Sequence, residues 1–359
     1  MSRPSQSIQS KGEEKESSSA QRLSSNPAGL FAVPSLKDIA IDGLVEQLGG
    51  VTLLNQLAVS DSTLGEIFHP RLTDHLLLLV VERRRDKAGK LIAEEFIKVN
   101  RNLILSRGHV TDYSFRKFAK VSAWEYALWA YDRHMWTMLL KYISKDQIPL
   151  ALEQLNNLEV NGITYTISET VTDPETKAEQ TRERTITEPH YDFALIPALQ
   201  TYMDNHGGWS GGQRIEYWCK KVGGAQRLVP VYVANYYCDS KRSFDPTPKF
   251  NEDELSRSLE FYNYDSESTV SWFPLSSSSG LGFDFAIMCG QGWVPDKLGQ
   301  RVGAVGWRWG CTDAGVSAIN LAAVTALYKV RQSEFTQLKQ QLQNPAFESD
   351  PSPSKCLVM

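Results

Sequence analysis

The sequence predicts a mostly α-helical N-terminal half followed by an α+β module that ends in a long helix. Three observations predict this. Between Leu36 and Phe68 the apolar residues mostly recur three to five apart, as on helix faces. Beyond about residue 159 the pattern changes to alternating segments, with tryptophans set among glycines. Finally, Val316, Ile319, Ala323, Leu327, Val330, Leu338 and Leu342 mark one face of a helix from Asp313 to Gln343, stopped by Asn344-Pro345. These shifts divide the chain into an arm (1–29), a three-helix unit (30–72), a helical region (73–158), the α+β module (159–343) and a tail (344–359).

At 359 residues and 42% hydrophobic content, the chain is long enough for packed cores in two or three domains. A formal net charge of −4 gives no basic footprint for nucleic acid. The run Arg83-Arg84-Arg85 is flanked by Glu82 and Asp86, as in a solvated face. No stretch approaches the ~18 apolar residues of a membrane span, and the polar N-terminus does not read as a secretory signal. The five cysteines, at 219, 238, 289, 311 and 356, stand far apart without C-x-x-C spacing. That spacing predicts reduced thiols in a cytosolic compartment and no metal centre.

Residues 1–29 are serine-rich, with almost no large apolar side chains. They cannot bury enough surface to offset the entropy of ordering, so a disordered arm is expected. From Val33-Pro34 onward, Leu36, Ile39, Leu44, Leu48, Leu53, Leu57, Leu64 and Phe68 describe three short helices. Gly49-Gly50 and Ser60-Asp61-Ser62 break them, and Asp61 or Ser62 is the expected cap of the last. The order Val33-Pro34, Ile39, Leu44, Leu48, Leu53-Leu54, Leu57-x-Val59-Ser60 and Leu64 resembles an F-box. It departs from that motif in a long interval after Pro34, in Thr52 where aspartate is usual, and in the lack of a Trp after Phe68. The resemblance implies that Pro34, Leu36, Ile39, Leu44, Leu48, Leu53, Leu57 and Leu64 bind the Skp-type adaptor of a cullin-RING ubiquitin ligase. By spacing alone, the same leucines describe a three-helix cap on the next core.

In the following region, His75–Val81 and Leu91–Val99 read as helices, and Gly108 to Tyr113 as a turn-rich break. Ser122-x-x-Glu125 is a capping box that starts a helix with Trp124, Ala127, Leu128 and Tyr131 on one face. A turn at Asp132-Arg133-His134 leads into a helix from Met135 to Ile143, and His134 reads as a helix-end side chain rather than a metal ligand. Helix pairs of this kind look like degenerate ankyrin repeats; two of them fit residues 73–143 and need a neighbour for stability.

Within the module, Val160–Val171 reads as a strand, Asp173–Arg184 as a loop and Thr185-Ile186-Thr187 as the returning partner. A helix from Tyr191 to Asn205 enters the glycine-rich stretch Gly207 to Gly212. There, Gly208-x-Ser210-x-Gly212 has the form of a nucleophile elbow. A helix precedes it and no histidine follows His206, so Ser210 has no downstream base and reads as a turn residue. A helix from Gln213 to Lys221 follows, with Cys219 as a buried structural thiol.

The last four residues, Cys356-Leu357-Val358-Met359, form a C-a-a-X box whose terminal Met assigns farnesyl to Cys356. One prenyl chain anchors only marginally, and Lys355 is the single base beside it, so a partner must add to membrane attachment. The whole plan resembles the prenylated F-box effectors that intracellular bacteria of the Legionella type place in host cells. The resemblance implies an adaptor rather than a catalyst. Its partners would be the Skp-type protein, the cullin-RING ligase, a prenyltransferase and an unidentified protein substrate held by residues 159–343. It further implies no cofactor beyond the farnesyl group, and a place on the cytosolic face of a host membrane after secretion. Two alternatives stand beside it. One is a prenylated scaffold without a ligase. The other is a membrane-anchored enzyme such as an ADP-ribosyltransferase, with Thr166-Ile167-Ser168 followed by the catalytic candidates Glu252 and Glu254. Capping of a helix start explains that acidic pair as well.

Overall fold

The computed structural model describes residues 51–85, 89–172, 179–239, 244–255, 259–263, 268–273, 305–306 and 314–344. The arm, Pro34, Leu36, Ile39, Leu44 and Leu48, the tryptophans 293, 307 and 309, and the tail with Cys356 lie outside the described residues. Within them the chain is largely helical, carries a four-stranded antiparallel sheet, and ends in a long helix.

Helices α1 (Val51–Ser60) and α2 (Ser62–Val81) meet at Asp61. That residue is extended, and its carboxylate accepts from the amides of Thr63 (2.8 Å) and Leu64 (3.1 Å), so the expected break and cap are both present. Helix α2 runs for 20 residues and keeps its course through Pro70. Phe68, Leu72, Leu76, Leu77, Leu79, Val80 and Val81 are buried along it. One continuous helix therefore bridges the boundary expected between residues 72 and 73. After α3 (Ile92–Val99) the chain forms a hairpin of β1 (Arg107–Thr111) and β2 (Lys117–Ser122). This corrects the helix-only reading of 73–158, in which Gly108 to Tyr113 was a break. The alternation is there, with Gly108 and Val110 buried between exposed Arg107, His109 and Thr111. A single strong β-former, Val110, is too weak a signal to reveal it.

Helices α4 (Ala123–Trp129), α5 (Arg133–Leu140) and α6 (Ile148–Asn161) lead to β3 (Ile163–Thr172) and β4 (Glu179–Glu188). The capping box is realised: Ser122 Oγ accepts from the Glu125 amide, and the Glu125 carboxylate accepts from the Ser122 amide. Thr164 and Thr166 pair with Thr187 and Thr185 as the alternation suggests, but pairing continues to Thr172 and Glu179, through residues expected to be loop. The sheet order is β1-β2-β3-β4, so one sheet crosses the boundary drawn at residue 159. Gly162 makes the turn from α6 into β3 at φ +70°; a Cβ there would lie 2.8 Å from the Glu188 backbone. Then come α7 (Leu195–Asn205), α8 (Gly211–Tyr217), a π-turn at Trp218–Val222, α9 (Gly223–Gln226) and α10 (Val231–Tyr237). A second, small sheet joins β5 (Glu260–Asn263) antiparallel to β6 (Ser268–Ser271) and parallel to β7 (Val305–Gly306). Helix α11 (Ala314–Gln343) closes the described chain. Cys219 is half-buried rather than buried; Cys238 is the inaccessible thiol, its pKa raised by burial.

The turn between β1 and β2 is organised by one carboxylate. Asp112 accepts from the amides of Ser114 (2.9 Å) and Arg116 (3.0 Å), from Arg116 Nε (2.9 Å) and from the Tyr126 hydroxyl (3.3 Å). The Arg116 guanidinium is fully buried and lies over the rings of Trp129, Tyr165 and Tyr191, at 4.8, 5.7 and 5.7 Å. Burial alone disfavours its charge; Asp112 and the surrounding tyrosines outweigh this and raise its pKa further.

Helix α11 packs on α5, α6 and α7. Its buried residues Ser317, Asn320, Val324, Leu327, Arg331, Phe335, Leu338 and Leu342 follow at three- and four-residue intervals. At the centre sits Arg331, not the expected Val330, which is only half-buried. The Arg331 guanidinium donates to the Phe250 carbonyl (3.2 Å) and the Tyr236 hydroxyl and pairs with Glu334, so its charge is carried inward. Two histidines complete the seat. His190 stacks on Tyr131 and meets Phe335 edge-on, with centroids at 4.4 and 4.6 Å. His134, in the first turn of α5, bonds the Glu252 carbonyl through Nε2 at 2.8 Å. Burial lowers the pKa of both, that of His134 to about 4.

Two expectations follow from these joints. Arg116→Met leaves the Asp112 charge buried and should cost about 3–5 kcal/mol. Adding Asp112→Asn, which still accepts from the turn amides, should recover part of that loss; urea unfolding of the two singles and the double closes the cycle. For His134, the folded state binds its proton less readily than the unfolded chain does. Its contribution is therefore intact above the unfolded value of 6.5 and lost as the pH falls toward about 4, by up to about 3 kcal/mol. His134→Asn should flatten the stability curve measured between neutral pH and pH about 4.5; an unchanged slope would remove His134 as its source.

Candidate functional site

The residues expected to bind a partner fall, within the described chain, on the α1–α2 pair. Leu57 and Leu64 are half-buried, and Leu53 is in the first turn of α1. Leu54, Ala58, Phe68 and Leu72 turn inward. Gly65 sets the close approach of the pair, because a Cβ there would sit 2.7 Å from the Ala58 carbonyl oxygen. Asn55 on α1 is tied to α3 by a 2.9 Å bond from Nδ2 to the Phe96 carbonyl. Two large apolar residues remain uncovered, Val59 of the F-box-like order and Ile67, which that order did not include: Val59 is 56% and Ile67 is 42% exposed. Ile67 follows Leu64 by one helical turn, and that spacing was the available signal.

Beside this edge the two helices and the end of α3 enclose an open groove of about 630 Å³. Ala58, Val59, Gly65 and Val99 line it together with His69 and the charged residues Glu66, Lys98 and Arg101. Of the lining residues, His69 contacts Ser106, which is itself outside the lining. Ser106 Oγ donates to the Asn102 carbonyl at 3.0 Å and lies 2.9 Å from His69 Nε2.

The acidic candidates are placed differently from the expectation of a helix start. Residues 251–255 form no helix; Glu252 is half-buried and gives its carbonyl to His134 and to Arg133, while Glu254 is exposed. Thr166, Ile167 and Ser168 lie in β3, paired with Thr185, Arg184 and Glu183. Ser210 caps α8 by accepting from the Gln213 amide, which confirms it as a turn residue. Among the described residues no cluster of His, Cys, Asp or Glu has the makings of a metal site, and no helix is long and apolar enough to cross a membrane.

Fold and groove define an α+β protein built on an antiparallel sheet, with an exposed apolar helix edge and a long closing helix. The chain is 54% identical over 352 residues to the uncharacterized protein CBUA0006 of Coxiella burnetii, covering 97% of each. It belongs to the CBUA0006 family. Residues 194–342 match that family's description of the CBUA0006 C-terminal domain, which begins one residue before α7 and ends within the last turn of α11. The four-stranded sheet thus lies ahead of the matched segment. No solved structure matches the chain.

Proposed function

We propose that the protein is an adaptor that engages the Skp-type adaptor of a cullin-RING ubiquitin ligase through α1, α2 and the leucines preceding them. A farnesyl group on Cys356 holds it at the cytosolic face of a host membrane. The observation that carries this reading is the uncovered apolar edge of Val59 and Ile67, flanked by half-buried Leu57 and Leu64. Apolar side chains left outside a core at helical spacing are what a helical docking interface requires. The F-box-like order of residues 33–64 supplies the kind of partner. Residues 159–343 are the part available for a substrate protein. In this scheme the chain does no covalent chemistry; it raises the effective concentration of ligase near its target.

The test is recovery of full-length, tagged protein from eukaryotic cells, wild type against Val59→Asp/Ile67→Asp. Both positions are exposed, so the variant should keep the wild-type unfolding midpoint. Skp-type adaptor and cullin should come down with wild type and fall about tenfold or more with the variant. Cys356→Ser should lower the membrane-associated fraction while leaving ligase recovery intact. Folded wild type that recovers no ligase component would overturn the adaptor reading.

A further inference from the structure

The glycine-rich stretch Gly207-Gly208-Trp209-Ser210-Gly211-Gly212 is not explained by the fold around it. None of its four glycines has a positive φ. A Cβ added at Gly207, Gly211 or Gly212 would meet nothing within 4 Å, and at Gly208 only the Asn205 carbonyl oxygen at 3.8 Å. Neither backbone strain nor internal packing calls for glycine here, although each costs chain entropy. Bare backbone at four exposed positions is what close approach by something outside the molecule needs.

The neighbouring side chains indicate what approaches. Trp209 and Tyr217 are half-exposed and lie against each other with ring centroids at 4.8 Å, backed by buried Tyr202 and Trp218. Arg214 fastens the loop by donating from Nε to the Trp209 carbonyl at 3.1 Å. Lys220 and Lys221 are exposed in the π-turn that continues α8, a geometry common at functional sites. Glu216, bonded to Lys220 at 2.7 Å, is the single acid between residues 206 and 222, against Arg214, Lys220 and Lys221. Three cations less one anion leave this patch at +2 on a chain of net −4.

We propose that this patch docks on an anionic lipid surface. Half-sunk Trp and Tyr rings suit the headgroup layer, where an apolar body and a polar tip are both satisfied. The lysines complement lipid phosphates, and the glycines let the backbone reach the surface. Single-stranded nucleic acid is the poorer occupant, because it needs a basic groove that tracks its backbone, whereas this patch holds three cations with Lys220 paired to Glu216. The contact would add to a prenyl anchor, but it does not rest on one.

The full-length Cys356→Ser chain separates the two. It should co-sediment with phosphatidylcholine vesicles containing phosphatidylserine and not with phosphatidylcholine alone. Lys220→Gln/Lys221→Gln should lower the partition coefficient by roughly 30-fold, and added salt should also weaken binding. Trp209→Ala should weaken binding at every salt concentration. Both variants lie at solvent-accessible positions, and unchanged unfolding midpoints would show that the loss is one of docking. Absence of vesicle binding, binding indifferent to both variants, or capture of an RNA oligonucleotide in place of vesicles would each overturn the proposal. A positive result in the Cys356→Ser chain leaves the farnesyl reading to be judged on its own.

Discussion

The sheet and the helices on it depend on the Asp112 carboxylate. It closes the β1–β2 turn through two backbone amides and at the same time neutralises a guanidinium that has no access to water. Phe115, inside that turn, is held at φ +62° and is 58% exposed. A bulky residue in the left-handed region is strained, so the turn persists because the Asp112 bonds and the Arg116 cage over-determine it. From the cage the constraint spreads. Trp129 lies over Arg116 and donates through its indole to Glu188 at the end of β4, and Tyr165 of β3 donates to the same carboxylate. One ion pair thus fixes β1, β2, α4, β3 and β4 together.

The same device recurs at other joints. Arg83, also left-handed, ends α2 and pairs with Asp132, the N-cap of α5. Arg107 reaches from β1 to Glu125, which is already engaged in the α4 capping box. Arg331 joins α11 to Phe250, another aromatic residue with positive φ. Buried ion pairs add little net stability over an apolar filling of the same volume. Their benefit is directional: a guanidinium presents donors in a rigid fork and is satisfied in few geometries. Elements of mixed length and weak propensity are therefore held in one arrangement.

This explains which features were legible in the sequence. Local signals were: the Asp61 cap, the Ser122–Glu125 box, the return strand at Thr185–Thr187 and the extent of α11 could be read because neighbours in sequence determine them. Non-local ones were not. Strand β1 carries one good β-former and exists because β2 and α2 receive it, the Asp74 carboxylate accepting the His109 amide at 2.7 Å. Arg331 lies on the apolar face because Phe250 and Tyr236, some 80 to 95 positions away, satisfy it. Hydropathy patterning assigns an arginine to solvent, so Val330 looked like the inward residue. The exposed helix edge was half legible for the same reason. The leucine register pointed to α1 and α2, while the uncovered residues Val59 and Ile67 depend on where the neighbouring helices stop.

The pattern of perturbed titrating groups bears on where function resides. Strongly shifted groups are usually the first sign of a catalytic cleft. Here the shifts follow burial at structural joints. Burial keeps His134 neutral beside the Glu252 carbonyl and His190 against Phe335 of α11, Tyr126 and Tyr191 line the arginine cage, and Cys238 is buried. A group already committed to a neighbour in the core is poorly placed to exchange a proton with a substrate. What the described surface leaves unused is of another kind: an apolar helix edge beside a charged groove, and bare glycines beside aromatic rings and lysines. Such features have no internal role to explain them, and each is suited to contact with a large, flat or helical partner. The arginine joints make this division possible, because a body held rigid from within can keep apolar residues outside without folding them in.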